Sequence, residues 1–130
     1  TPQGPADLEV TTDHVHILRD EQLVVHTNHC LHPELIAINQ DFPELIESGP
    51  RKLRIEHLLG PKRSLRIEEM QAALRDHDNH PLSICRHANE HPENGFWVSV
   101  FSVVIEADQG RMHLSRGNPC EAPYETYSLN

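Results

Sequence analysis

Apolar residues in this chain form short runs separated by turn-forming residues, which predicts several short elements. Two strand-like runs near the N-terminus, 15–18 and 23–25, are joined by the polar link 19–21, and this pattern predicts a hairpin. The stretch 29–50 contains three prolines, so we expect loop with one short helical turn.

Two helices are predicted next. The first covers 51–59 and ends at Gly60-Pro61, a common helix stop. The second begins at the N-cap candidate Ser64 and runs to about Asp76. Its apolar residues recur at helical spacing and form one stripe: Ile67, Met70, Ala73 and Leu74.

The rest of the chain has the pattern of a sheet. A short strand is predicted at 82–85 and a long one at 96–107, followed by a turn at 108–110 and a returning strand at 111–116. A last strand is predicted at 124–129. Strands and helices are segregated, which predicts an α+β fold with an antiparallel sheet and two helices on one face. The length of 130 residues fits a single domain over 1–130.

Composition narrows the class of protein. The net charge of −9 argues against nucleic-acid binding, which needs a cationic surface. No apolar run reaches the roughly 20 residues of a transmembrane helix, and the first residues lack the pattern of a signal peptide. Three widely spaced cysteines do not form a disulfide framework. We therefore expect a cytoplasmic protein without a membrane or nucleic-acid partner.

One segment, 51–66, has the opposite charge from the rest of the chain, with six basic residues against a single glutamate. Such a patch suits an anionic ligand, for example the phosphates of a nucleotide-like carrier. The alternative is that these side chains form solvated helix faces.

Histidine is unusually abundant, with 11 residues in 130. His26, His29 and His32 flank Cys30, and a second group surrounds Cys85 and His87. Zinc sites usually combine two close ligand pairs, and no CxxC spacing occurs. We therefore predict no metal and no cofactor. A His-rich metal-binding module that uses His26, His29, His32 and His87 remains an alternative.

Three further residues are candidates for chemistry. The Asn28 side-chain amide follows a strand and is a candidate oxyanion donor, although such residues are often simple turn residues. Arg86 would favour the thiolate form of a nearby cysteine, or form a salt bridge. Cys30 lies beside His29 and His32, but sequence neighbours rarely reach the geometry of a catalytic pair.

Several segments together resemble a known family. HTNHCLHPEL, DHDNHPLSICRH and the long VSVFSVVIEADQGRMHLSRGNPCEAPYETYSL are similar, in order and spacing, to the C-terminal portion of acyl-coenzyme A:6-aminopenicillanic acid acyltransferases. This family, also called isopenicillin N acyltransferase-like, belongs to the N-terminal-nucleophile hydrolases. The resemblance covers about residues 8–129.

The resemblance implies a specific fold and reaction. Its members fold as an αββα sandwich and cleave themselves to expose an N-terminal cysteine, which attacks an amide or thioester carbonyl. By this resemblance Asn28 donates to the oxyanion, Arg86 lies by the nucleophile, and His26 and His29 bind substrate. Cys30 packs and is not the nucleophile.

The nucleophile-bearing half is not in this sequence. We therefore expect the C-terminal part of a larger self-processed enzyme, inactive alone and partnered by that half or by further copies of itself. Its substrates would be small acylated amines or acyl-coenzyme A. A catalytically inactive binding module is the further alternative.

Overall fold

The structure is a computed structural model and describes residues 4–20, 22–42, 47–60, 64–93 and 95–128. The chain divides into two compact units, residues 1–63 and 64–130. Each unit contains antiparallel strands and one α-helix, so the predicted α+β class is confirmed. The strands form two sheets, of two and three strands.

The N-terminal unit begins with a hairpin. Strands β1 (Ala6–Val10) and β2 (Val15–Arg19) pair antiparallel, with Leu8 opposite Ile17 and Val10 opposite Val15. A 3₁₀ helix (Ile36–Asp41) and α1 (Ser48–Leu59) follow.

The predicted hairpin partner was wrong. The run 15–18 pairs with β1 and not with 23–25, which is not a strand. Asp20 Oδ1 accepts hydrogen bonds from the N–H groups of Gln22 (2.8 Å) and Leu23 (3.1 Å). These bonds form a turn, and the strand ends there. Thr11 closes the real hairpin: its N–H donates to the His14 carbonyl at 2.9 Å.

The C-terminal unit contains α2 (Ile67–Leu74) and a sheet of β3 (Phe101–Glu106), β4 (Arg111–Arg116) and β5 (Tyr124–Ser128), in the order β3-β4-β5. The predicted turn at 108–110 and its flanking strands are confirmed. Helix α2 packs against β3. Val104 of β3 and Ala73 of α2 are both buried.

Several predicted boundaries differ. Helix α1 begins at Ser48 and not at residue 51, because Pro50 is tolerated in a first helical turn. Helix α2 is capped by Arg66, whose N–H donates to the Glu69 carboxylate at 2.9 Å, so Ser64 is not the N-cap. Residues 82–85 form bends and no strand.

The long predicted strand 96–107 begins only at Phe101. Its ladder partner β4 ends at Arg116, and Gly117, at φ 95°, turns the chain away. The Gly117 N–H still donates to the Val100 carbonyl at 2.8 Å, but the Ser99 N–H donates to the Arg86 carbonyl at 2.9 Å, so the residues before Val100 leave the ladder with β4. No helix within the described ranges is long and apolar enough to cross a membrane.

Candidate functional site

The segment 26–32 has no regular secondary structure, and side chains from the rest of the N-terminal unit hold its backbone. Five successive N–H groups, from Asn28 to His32, each donate to a side-chain oxygen. The acceptors are Ser48 of α1, Asn39 of the 3₁₀ helix and Glu9 of β1. Because backbone donors of a loop need partners as much as those of a strand, this arrangement fixes the segment without a ladder.

Ser48 is the first of these anchors and is fully buried at the start of α1. Its Oγ accepts from the N–H groups of Asn28 (2.6 Å) and His29 (3.1 Å). The same hydroxyl donates to Thr27 Oγ1 at 2.8 Å, and the Thr27 hydroxyl donates to the Ser48 carbonyl at 3.0 Å. One hydroxyl therefore joins three consecutive residues to the helix.

Glu9 is the second anchor and is buried in β1. Its two carboxylate oxygens accept from the N–H groups of Leu31 (2.5 Å) and His32 (2.9 Å). Burial by itself raises the pKa of Glu9, but the two N–H donors and the charges of His26 and His32 outweigh it. The pKa of this carboxyl therefore lies below its usual value of 4.5.

Asn39 is the third anchor and fixes Cys30. Its Oδ1 accepts from the Cys30 N–H at 2.8 Å, and its Nδ2 donates to the Cys30 carbonyl at 2.9 Å. Cys30 is half-buried and its thiol is free.

The side chain of Asn28 is exposed, and its amide orientation is defined. Its Oδ1 accepts from Arg51 Nη2 at 2.7 Å. Arginine has donors only, so the oxygen of the amide must face it and the nitrogen must point away. Within the part of the chain that the structure describes, Asn28 Nδ2 makes no hydrogen bond. The amide is therefore a fixed, available donor.

His29 is half-buried beside Asn28. Its Nδ1 lies 2.8 Å from Ser48 Oγ and 3.1 Å from Thr27 Oγ1. Burial, followed by the nearby charges of His26 and Lys52, lowers the pKa of His29 below 6.5. The ring is therefore neutral at neutral pH. Because both hydroxyl protons are already donated elsewhere, Nδ1 carries the ring proton and Nε2 is the acceptor.

His26 uses both ring nitrogens within the N-terminal unit. Its Nδ1 lies 3.1 Å from Asp7 Oδ2, and its Nε2 lies 3.3 Å from Glu9 Oε1. Nε2 also donates to the His29 carbonyl at 2.9 Å. His26 therefore helps to hold the backbone of His29 in place.

A cavity of about 410 Å³ opens in front of this segment. Its polar lining comes from the loop and the hairpin: Asn28, His29, Cys30, His26, Glu9 and Thr11. Its apolar lining comes from Leu8 and Val10 of the hairpin, Leu35, and Ile38 of the 3₁₀ helix. This volume is typical of a small-molecule site, with a mostly apolar wall and few directed polar groups.

Arg86 lies in the C-terminal unit. Its backbone N–H donates to Ser99 Oγ at 3.0 Å, and its Nε donates to the Ser83 carbonyl at 3.4 Å. Since Asn28 and Arg86 belong to different units, their meeting at one active site remains a prediction.

The four histidines of the metal-binding alternative do not form one group. Among the described residues, His26 lies with Asp7 and Glu9, His32 with His16 and Glu34, and His87 with a separate set of ligands in the C-terminal unit; His29 belongs to none of them.

The basic segment 51–66 is only partly described, and two of its cations are already engaged. Its residues 62 and 63 lie outside the described ranges, Lys52 pairs with Glu56, and Arg51 is engaged with Asn28.

Sequence reasoning missed Ser48 and Glu9, and it placed Arg51 in a basic segment without its contact to Asn28. A serine before Gly-Pro at a helix start was a usable signal for Ser48. Nothing in the sequence separates Glu9 from the other carboxylates, because its partners lie more than 20 positions away.

Comparison with known proteins identifies relatives. Residues 2–121 match the family described as acyl-coenzyme A:6-aminopenicillanic acid acyl-transferase. A curated relative, the 40 kDa form of acyl-coenzyme A:6-aminopenicillanic-acid-acyltransferase of Emericella nidulans, is 34% identical over 106 residues. That match covers 82% of this chain and 28% of the relative.

We expect Ser48→Ala to lower the free energy of unfolding by about 2–4 kcal/mol, because two N–H groups lose their shared acceptor. Urea denaturation measures the loss, and the amide resonances of residues 28 and 29 should shift in parallel. Ser64→Ala, at an exposed serine, is the control. A change in S48A no larger than in this control would contradict the anchoring role.

Glu9 should make stability depend on pH. Its folded pKa is depressed, so its contribution is present above the unfolded value of 4.5 and is lost as the pH falls through the lower folded value. Glu9→Gln should therefore be less stable than the wild type near neutral pH, and the difference should narrow below pH 4.5. Urea denaturation across this range tests it, with Glu68→Gln on the exposed side of α2 as the charge control. A difference that is constant with pH would refute the linkage.

Proposed function

Because the chain belongs to the acyl-coenzyme A:6-aminopenicillanic acid acyltransferase family, we propose that it is the C-terminal part of a cysteine N-terminal-nucleophile acyltransferase or amidohydrolase. It spans 28% of the length of the curated relative that it matches. The nucleophilic cysteine would lie in the upstream half, and this chain would contribute supporting groups.

The defined amide of Asn28 is the observation that carries the proposal. Arg51 holds its oxygen, Ser48 holds its backbone, and Nδ2 remains available beside the cavity. An oxyanion donor acts best when it is fixed before charge develops, because no reorganisation is then needed in the transition state. The positive charge on Arg51 also makes the amide nitrogen a stronger donor.

The proposed reaction has two steps. The thiolate of the N-terminal cysteine attacks the carbonyl of an acyl thioester or amide, and its α-amine takes up the thiol proton. Collapse of the tetrahedral intermediate, whose oxyanion Asn28 would stabilise, breaks the carbonyl bond to the leaving group. The leaving thiol or amine departs with that proton. An amine or water then attacks the acyl-enzyme and regenerates the thiol.

His29 and His26 would serve this site differently. The neutral Nε2 of His29 can accept a hydrogen bond from the N–H of an amine substrate. His26 would act through the His29 carbonyl, to which it donates. Arg86 would lie near the nucleophile and favour its thiolate.

Exposed apolar faces favour a protein partner. The hairpin exposes Leu8, Val10, Val15 and Ile17 on one face, and β3 exposes Phe101 and Ile105. Val98 and Val100 are also exposed, while Val103 is half-buried. We propose that the upstream half covers these faces, with substrates drawn from small acylated amines and acyl-coenzyme A. Three free thiols favour a reducing, cytoplasmic location.

Asn28→Ala should lower kcat of the enzyme reconstituted with its upstream half by about 100- to 1,000-fold, because the oxyanion loses a donor. Steady-state kinetics with an acyl thioester probe measure this change. Gln40→Ala removes an exposed amide that does not line the cavity and should leave kcat unchanged. An N28A enzyme with the kcat of the control would exclude the oxyanion role.

The partner should be visible in native mass spectrometry of the protein from its natural source. We expect a complex of this chain with a second chain that begins with cysteine. Denaturing spectra then give the mass and N-terminal residue of each chain. Finding this chain alone, or only with copies of itself, would overturn the two-part assignment.

A further inference from the structure

Four ligand-type side chains converge in the C-terminal unit. They are His77, Cys85, His87 and Cys120, and their ligand atoms all lie within 4.8 Å of one another. They come from the loop after α2, the bends at 82–85 and the residues directly after them, and the turn after β4. The two imidazoles and two thiols come from three separate segments, so their convergence does not follow from the sequence order alone.

Four of the six distances between these ligand atoms lie within about 0.4 Å of those in a tetrahedron around one ion. Zinc binds sulfur at about 2.3 Å and imidazole nitrogen at about 2.0–2.1 Å, which separates S–S, S–N and N–N pairs by about 3.8, 3.6 and 3.3 Å. Here Cys85 Sγ and Cys120 Sγ are 3.5 Å apart. His87 Nε2 lies 3.9 Å from Cys85 Sγ and 3.2 Å from Cys120 Sγ. The Nε2 atoms of His77 and His87 are 3.0 Å apart.

We propose that His77, Cys85, His87 and Cys120 form a Cys₂His₂ site for a structural Zn²⁺ ion. Four protein ligands leave no open position, so the site is structural and not catalytic. Hydrogen bonding alone satisfies the group poorly, since two facing imidazole nitrogens share one proton and thiols are weak donors.

Metal binding at His87 would require its ring proton and the Asn118 amide to rearrange together. Asn118 Nδ2 lies 2.6 Å from His87 Nδ1 and donates to it, so Nδ1 carries no proton in this structure. Zinc at Nε2 places the ring proton on Nδ1, and the Asn118 amide must then turn its oxygen towards that proton. The Glu121 carboxylate lies 3.6 Å from the same nitrogen, and such carboxylates commonly orient zinc-bound histidines.

The thiols must lose their protons on binding. Burial, together with the Cys120 contact, raises the pKa of the Cys85 thiol to about 11, so without metal this thiol is protonated. A coordinating zinc ion deprotonates a thiol outright. The protein without metal therefore holds Cys85 as a thiol.

The site has a structural consequence for its neighbour. Cys85 and His87 flank Arg86, so an ion bound to both fixes the backbone that carries this arginine. It also ties the turn after β4 to the loop that follows α2. Zinc binding by these four ligands does not require acyl transfer by the chain.

The test is metal uptake by the full 130-residue chain, purified with a non-chelating reductant. We expect one Zn²⁺ per chain by elemental mass spectrometry. Co²⁺ in its place should give the intense visible bands of tetrahedral coordination and a thiolate-to-cobalt charge-transfer band. Cys120→Ser and His77→Ala, both at exposed positions, should weaken Zn²⁺ affinity by more than about 100-fold, since losing even an orienting partner costs about 10- to 100-fold.

Matched controls use cysteine and histidine residues outside the group. Cys30→Ser and His91→Ala should keep both the stoichiometry and the cobalt spectrum. Circular dichroism of each variant separates lost binding from lost folding. The proposal is overturned by substoichiometric zinc, by an octahedral cobalt spectrum, or by equal losses in the controls. A Cys85–Cys120 disulfide that persists in reductant and excludes metal would also overturn it.

Discussion

Five consecutive backbone N–H groups, from Asn28 to His32, donate hydrogen bonds to side chains, and the N-terminal unit depends on these bonds. A loop that contributes to a site needs a defined backbone, yet it lacks the ladder that would give it one. Here Ser48, Asn39 and Glu9 supply the acceptors. Each comes from a different element, so the segment is defined only when hairpin, 3₁₀ helix and α1 are all in place.

This arrangement explains why the hairpin has polar residues inside and apolar residues outside. Strand side chains alternate between two faces, so Glu9 can reach the loop only if Leu8 and Val10 face the other way. The apolar face then stays largely exposed, and its residues Leu8 and Val10 help to line the cavity. A further layer of protein over this face would bury its exposed apolar side chains. This agrees with a chain that spans 28% of the length of its relative.

The C-terminal unit also contains an irregular stretch whose backbone has to be held in place. Its sheet and α2 bury Val104 and Ala73, while the irregular stretch around Arg86 lies outside that ladder. Backbone bonds tie this stretch down at a few points, such as the Cys85 N–H to the Asp76 carbonyl at 3.0 Å. An ion bound to Cys85, His87, His77 and Cys120 would cross-link this stretch to the rest of the unit, which the small core stabilises only weakly.

Local patterns in the sequence determined the α+β class, the β3–β4 hairpin and the end of α1 at Gly60, because alternation, helical periodicity and turn residues act over a few positions. They also indicated the family, through the order of segments around Asn28 and Arg86. They did not identify the true partner of β2 or the irregular path of 82–85, where long-range pairing decides. Only the tertiary structure brought Glu9 and Ser48 to the loop, and Cys120 to His77, because hydrogen-bond acceptors and metal ligands are defined by distance in space and not along the chain.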